Sequence, residues 1–255
     1  MVKNLFSLGK SIRLKDFVKD DNRVLIVAMD HALFGITDGI ENLGDMIDTV
    51  TKSGADAVMI GLGISHNYQE RISGRTSLIA TIEARALDVE QAVKIGASAV
   101  KTTYAGKVPV DGGLRQEIIL TASKCEEWGM PYIAELVPAD STGKYLYDVD
   151  LVLKAARLAA ELGGDIVKTI YTGNPETFRK VVEACPIPIV IAGGPKVESD
   201  EETLRMVKGV IEAGGAGVAF GRNIWQHKEP AKMAEAVGKI IHQDITVAEA
   251  LKILK

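Results

Sequence analysis

The chain has 255 residues, of which 47% are hydrophobic and 25% charged, and its formal net charge is −4. That composition belongs to a folded globular protein, so it excludes intrinsic disorder, and the acidic balance argues against nucleic acid as a partner. It leaves room for a small anionic substrate, because a pocket can be locally positive on an acidic protein. Cys125 and Cys185 show no CxxC spacing, and the four histidines never fall at HxH or HxxxH spacing. Neither a disulfide framework nor a zinc site with sequence-local histidines is therefore expected. The first 23 residues lack the apolar core of a signal peptide, and no segment approaches the roughly 20 apolar residues of a membrane span. The expectation is a cytoplasmic protein with no membrane partner.

From the amino end, residues 1–22 read as an extension that caps the fold. One junction then recurs, at Ser53–Val58, Ile95–Val100, Leu162–Val167 and Ala213–Val218: a helical pattern closes on Gly, and a small residue leads into a short Val/Ile-rich run. Gly suits the left-handed residue that closes a helix, and the run is too short for anything but a buried strand. Pro131 and Pro188 open two more strands, where a missing N–H is tolerated. With Val24–Asp30 and Ser77–Glu83 the strand candidates number eight. Helical patterns lie between them at Leu43–Lys52, Val89–Ile95, Leu114–Trp128, Asp148–Leu162, Pro175–Ala184, Glu201–Ala213 and Pro230–Ile241, and Val247–Leu254 reads as a short terminal helix. Alternating helices and two-sided buried strands predict a parallel sheet, and eight units in about 250 residues predict a single-domain (β/α)8 TIM barrel over residues 1–255. A doubly wound open sheet is the alternative, disfavoured because no GxGxxG follows the first strand.

In a barrel the chemistry lies at the carboxyl ends of the strands. Lys168 sits inside an apolar strand, where burial disfavours the ammonium form and prepares an amine to attack a carbonyl. Bringing a lysine from about 10.4 to about 7–8 takes roughly 4 kcal/mol, to which a cation such as Arg222 would contribute. The bland alternative is a structural ion pair with Asp30 or Glu135. Asp30 closes the first strand and either handles substrate hydroxyls and protons or caps the next turn. Glu135 either works as an acid/base or is the counter-ion of Lys168. Lys101 is a second inner lysine, ranked lower because Thr102 and Thr103 suggest a wetter surround. Gly193 and Gly194 after strand seven, with Gly221 and Arg222 after strand eight, make a candidate phosphate site, since loops there bring backbone N–H groups and a guanidinium to an anion. His31, next to Asp30, joins the substrate-binding candidates. His66 and His227 read as structural and Trp128 and Trp225 as packing residues, and Tyr104 and Tyr171 either donate protons or face the helices.

The stretches Met29–His31, Asp165–Gly173, Ala192–Lys196 and Gly221–His227 occur in order across nearly the whole chain. Together they resemble the class I aldolase superfamily of archaeal-type fructose-bisphosphate aldolases, aminodideoxyheptulosonate synthases and phosphorylated autoinducer-2 thiolases. The resemblance implies a lysine Schiff base on Lys168, an aspartate at Asp30, phosphate held after strands seven and eight, no metal or organic cofactor, and a homo-oligomer, decameric in many members. The implied substrate is a small phosphorylated ketose or related carbonyl compound. Two departures stand out. Aldolase members carry a proton-transferring tyrosine on strand five in a Tyr-Pro motif, and here the motif reads Val137-Pro138, which puts Glu135 forward as the replacement. Ala32 follows His31 where many members have Gly, which narrows the pocket. The missing tyrosine keeps three alternatives open: thiolase-type transfer to coenzyme A, a barrel isomerase or synthase without a Schiff base, and a non-catalytic phosphometabolite-binding protein.

Overall fold

A computed structural model describes residues 7–83 and 86–255. Eight parallel strands close into a barrel in sequence order: β1 Val24–Ala28, β2 Ala57–Gly61, β3 Ser77–Thr81, β4 Ala99–Gly106, β5 Tyr132–Pro138, β6 Ile166–Ile170, β7 Ile189–Ala192 and β8 Gly217–Phe220, with β8 returning to pair with β1. This is the (β/α)8 barrel expected from the sequence, and the closed sheet removes the doubly wound alternative.

The uninterrupted apolar runs of the strands follow from burial on both faces. In β1, Val24, Ile26 and Ala28 join the cluster that fills the barrel, with Met59, Ile79, Ile133, Val190 and Ala219, whereas Leu25 and Val27 pack outward under the helices. The helices supply the matching stripe. In Leu43–Lys52 the buried positions Leu43, Ile47 and Val50 recur at helical spacing, and Asn42 caps the first turn by accepting the N–H of Asp45. Gly54 and Gly163, at φ of 91° and 96°, make the left-handed closures from which the next strand starts. The second unit carries no long helix. Three short turns, Leu62–Ser65, His66–Tyr68 and Gln69–Ile72, connect β2 to β3.

Two of the recurrent junctions carry Asp after the glycine, and the structure shows why. Asp165 accepts the N–H of Tyr132 at 2.8 Å, and Asp56 accepts that of Leu25 at 2.6 Å, so each carboxylate ties the start of one strand to the preceding one. The same aspartates anchor the amino-terminal segment. Lys10, buried on helix Leu8–Phe17, donates to Asp165 at 3.0 Å, and Lys19 pairs with Asp56 at 3.3 Å. Phe17 at the end of that helix is fully buried within the cluster that fills the barrel interior. The extension therefore plugs the amino-terminal end of the barrel as expected, although the first six residues of that expectation lie outside the described residues. A cavity of about 820 Å³ opens at this same end beside Asp16, Asp56, Arg75 and Ser98, remote from the strand carboxyl ends.

Two stability measurements follow. Phe17→Ala removes a plug with no space to collapse into and should cost about 3–5 kcal/mol in urea unfolding; a loss below 1 kcal/mol would show that the barrel end closes without it. His242 bridges Asp21 at 2.8 Å and Asp56 at 2.9 Å. Burial opposes its charge, but both carboxylates outweigh burial and raise its pKa above 6.5. Its stabilisation is full below about pH 6.5 and fades as pH rises through the higher folded value. His242→Gln should thus lower the melting temperature more at pH 6 than at pH 8.5, and an equal loss at both would refute the charged bridge.

Candidate active site

The ladder brings four ionisable side chains together inside the carboxyl end of the barrel. Glu135 of β5 lies in register with Thr103 of β4 on one side and Lys168 of β6 on the other, and Thr81 of β3 is in register with Lys101 of β4. Asp30, two residues beyond β1, points into the same space. Lys168 Nζ lies 2.9 Å from Glu135 Oε1 and 4.0 Å from Met59 Sδ. Lys101 Nζ lies 2.7 Å from Asp30 Oδ2 and 3.1 Å from Glu135 Oε2, and also donates to Thr103 Oγ1. Thr103 donates to Glu135 at 3.0 Å and Thr81 to Asp30 at 2.7 Å. The result is a continuous chain, Asp30–Lys101–Glu135–Lys168, with two positive and two negative members.

Burial alone would raise both carboxyl groups, but Lys101 and Lys168 outweigh it and hold Asp30 and Glu135 below the usual carboxylate range. Burial likewise works against the Lys101 ammonium, and Glu135 and Asp30 raise it above the ordinary lysine value. Lys101 is therefore not the wet lysine that its threonine neighbours suggested. It is 1% exposed against 4% for Lys168, because Thr102 turns outward to Tyr132 and Thr103 is itself part of the network. Asp30 does not cap the turn that follows: it precedes His31–Phe34 without a side-chain capping bond. Glu135 is counter-ion to both lysines rather than to Lys168 alone.

The loops after β7 and β8 are tied into one surface. Asn223 donates to the carbonyl of Gly193 at 2.9 Å and accepts the N–H of Val197 at 3.0 Å, and Lys196 donates to the carbonyl of Gln226 at 2.6 Å. A Cβ on Gly193 would press within 2.8 Å of Asn223 Nδ2, and one on Gly221 would collide with the His31 ring, so both glycines are required by close approach. Trp225 packs edge-on against His31 at 5.3 Å and donates to the carbonyl of Ala28 at 2.9 Å. Arg222 Nε and His31 Nδ1 are buried with no hydrogen-bond partner. Burial pushes His31 down to about 4, with Asp30 opposing and Lys168 and Arg222 assisting, so the ring is neutral near pH 7. The other expectations sort plainly. His227 is held by Asp200 and Glu229, Tyr171 packs on Phe178, and Tyr104 donates to the carbonyl of Lys107. Trp128 stays about one-third exposed. Among the described residues no group of three or more His, Cys, Asp or Glu is arranged to hold a metal ion, and no helix is long and apolar enough to cross a membrane.

One pair of residues had no signal in a strand-end reading. After β5 the chain doubles back: the backbone N–H of Asp140 donates to the carbonyl of Lys144 at 3.0 Å, that of Leu146 to the carbonyl of Pro138 at 2.9 Å, and Ala139 bridges Tyr145 antiparallel. The return brings the Tyr147 hydroxyl to 3.4 Å from the position of a Cβ on Gly194. Tyr145 lies half-buried behind it, its phenol raised first by burial and then by Glu135. The Asp140–Gly143 turn followed by Tyr145-Leu-Tyr147 is the sequence pattern of such a return.

The chain is similar to several known proteins. Residues 21–227 match the family model described as DeoC/LacD family aldolase. The chain is 36% identical to an uncharacterized aldolase of Saccharolobus solfataricus, covering 97% of this chain and 100% of that protein. It is 35% identical to the 2-amino-3,7-dideoxy-D-threo-hept-6-ulosonate synthase of Halobacterium salinarum, over 95% of each. It is 30% identical to the class 1 fructose-bisphosphate aldolase of Thermoproteus tenax, over 90% of this chain and 93% of that one. Among solved structures, an archaeal fructose-1,6-bisphosphate aldolase with its catalytic Lys bound to the carbinolamine intermediate superposes with a TM-score of 0.78 at 28% identity, over 91% of this chain and 99% of that one. With its closed barrel and a match along nearly its whole length, this protein is an aldolase-type lyase and belongs to the DeoC/LacD aldolase family.

Proposed function

We propose that the protein is a class I aldolase in which Lys168 forms a Schiff base with a small phosphorylated ketose or related carbonyl compound. The observation that carries this reading is the pairing of Lys168 with Glu135 at 2.9 Å, with both side chains buried. Glu135 takes the ammonium proton, the free amine adds to the ketone, and loss of water from the carbinolamine gives an iminium that accepts the electrons of the bond being broken. Glu135 then returns or removes protons at the substrate carbon, the role that Val137 cannot fill. Lys101 holds Asp30 ionised through the cycle and pairs with Glu135 whenever that group gives up its proton. Asp30 Oδ1, which lies 3.6 Å from His31 Nδ1 while Oδ2 serves Lys101 and Thr81, faces substrate hydroxyls. Arg222, with its buried Nε unpaired, and the backbone at Gly193, Gly194 and Gly221 take the phosphate, with His31 and the Tyr147 hydroxyl as neutral donors at its edge.

The test is chemical trapping. Incubation with dihydroxyacetone phosphate or fructose 1,6-bisphosphate, then borohydride and mass spectrometry, should give an adduct on Lys168 that Lys168→Met abolishes. An adduct on Lys101 would move the chemistry to β4, and none with either ligand would refute the reading. Glu135→Gln should lower turnover by about 10²–10⁴-fold, the usual contribution of acid/base catalysis, while trapping at Lys168 is slowed but still detectable on long incubation. Turnover near the unmodified rate would remove Glu135 from proton transfer.

The phosphate assignment has its own signature. Arg222→Ala should raise KM for the phosphorylated substrate by about 10–100-fold, the loss of a charge-assisted bond, and Tyr147→Phe by a few-fold, both with smaller effects on an unphosphorylated analogue. Equal effects on the two substrates would place the phosphate elsewhere.

A further inference from the structure

The mouth of the barrel is divided by charge. Arg222 and Lys168 stand on the β6–β8 side, and Lys101 on the floor is neutralised by its bonds to Asp30 and Glu135. On the opposite side, over the ends of β1, β2 and β3, lies a cavity of about 560 Å³ that begins at Asp30 and Thr81 and opens to solvent. Its walls are aliphatic: Leu33, Ile40, Leu62, Ile64 and Ile82. Leu33 leans across to 3.8 Å from the position of a Cβ on Gly61, and Leu33 and Ile64 leave 56% and 41% of their surface exposed at the rim. Ala32, standing where a glycine would leave more room, lines the same wall. Among the described residues lining this cavity the charged groups are carboxylates, Asp30 at its base, the buried Asp88, and Glu41 and Glu83 exposed at its edge, with no Lys, Arg or His.

An aldol reaction needs two carbonyl partners, and only one of them is anchored at Arg222. We propose that the cavity over β1–β3 receives the second partner and selects an unphosphorylated, apolar aldehyde. This rests on Lys168 as the Schiff-base residue. A dianionic phosphoryl group there would leave water to face carboxylates and alkyl side chains, with no cation among the described lining residues to receive it. An aliphatic aldehyde instead covers the exposed Leu33 and Ile64, and the hydroxyl formed from its carbonyl oxygen donates to the Asp30 carboxylate at the polar floor. The step balances without a further reagent. The donor iminium on Lys168 loses a proton from its α-carbon to give the enamine. The enamine carbon bonds to the aldehyde carbon, the aldehyde oxygen takes a proton and becomes the product hydroxyl, and water hydrolyses the iminium to release the ketose and the amine.

The experiment measures kcat/KM for aldol addition of dihydroxyacetone phosphate to 3-methylbutanal, propanal, glyceraldehyde and glyceraldehyde 3-phosphate, with borohydride trapping of the donor in parallel. The expected order places 3-methylbutanal first, at least tenfold above glyceraldehyde 3-phosphate. It should also stand about tenfold or more above propanal, the discrimination an apolar pocket gives per methylene. A preference for glyceraldehyde 3-phosphate overturns the proposal. A trapped Lys168 with no addition to 3-methylbutanal overturns it while leaving the Schiff-base reading intact, and failure to trap removes both. Ile64→Lys, which adds a cation at the rim away from the lysine network, should reduce the preference for 3-methylbutanal over glyceraldehyde 3-phosphate by at least tenfold. An unchanged preference in that variant would show that the aldehyde binds outside this cavity.

Discussion

Two lysines and two carboxylates share one dry space inside the barrel, and none of them would be tolerable there alone. An ionised group taken out of water costs several kcal/mol unless it is paired and its remaining hydrogen bonds are met. Here Lys101 meets three acceptors, Asp30, Glu135 and Thr103, and each carboxylate receives a lysine and a threonine hydroxyl. The pairing is set by strand register: Thr103, Glu135 and Lys168 are ladder neighbours on β4, β5 and β6. A shift of one residue in any of these strands would turn its charged side chain out among the helices. The barrel's closure and the site's charge balance are thus one requirement rather than two.

The two lysines are unequal within that balance. Lys101 is locked on every side. Lys168 has a single carboxylate partner and otherwise meets the soft, apolar Met59. A lysine with one polar tie can swing to a substrate carbon by releasing Glu135, and Lys101 remains to neutralise the carboxylate left behind. The network therefore supplies both a displaceable amine and a fixed cation that makes its displacement affordable. Preorganised charge of this kind acts without reorganisation during the reaction, which is where electrostatic catalysis draws its strength.

The fold was readable because its causes are local or periodic. Gly54 and Gly163 close helices where the chain must turn left-handed, and the double-sided burial of a parallel strand leaves an unbroken apolar run such as Val24–Ala28. Lys168 stood out as a charge interrupting such a run, Glu135 as a carboxylate on strand five, and Asp30 as the polar residue that closes the first strand. Lys101 was underrated because wetness was judged from its sequence neighbours. Burial in a barrel is decided by neighbours across the ladder, and those are Thr81 and Ile133. Tyr147 was missed because its position depends on a chain return from Asp140 to Leu146 that brings a β5 loop to a β7 loop, and no spacing within either segment encodes that meeting. The glycines at 193 and 221 were read as open space for an anion. In the structure they also admit Asn223 and the His31 ring, so their absent side chains serve packing as much as binding.

Val137 and Ala32 can be read together once the mouth is seen as two halves. Val137 is buried near the end of β5, two residues beyond Glu135. A tyrosine hydroxyl there would bring another polar group beside a network that is already satisfied. With valine, the carboxylate that accepts from Lys168 is the nearest titratable group on that strand, and the proton transfer and amine activation proposed above both fall to it. Ala32, on the other half, adds a methyl group to a wall that is already aliphatic. Both residues present alkyl groups rather than polar ones and leave the cationic side at Arg222 untouched. Beside the buried Val137, less polar surroundings strengthen each charge interaction that remains, so the residue that lacks a proton donor also favours the ion pairs of Glu135.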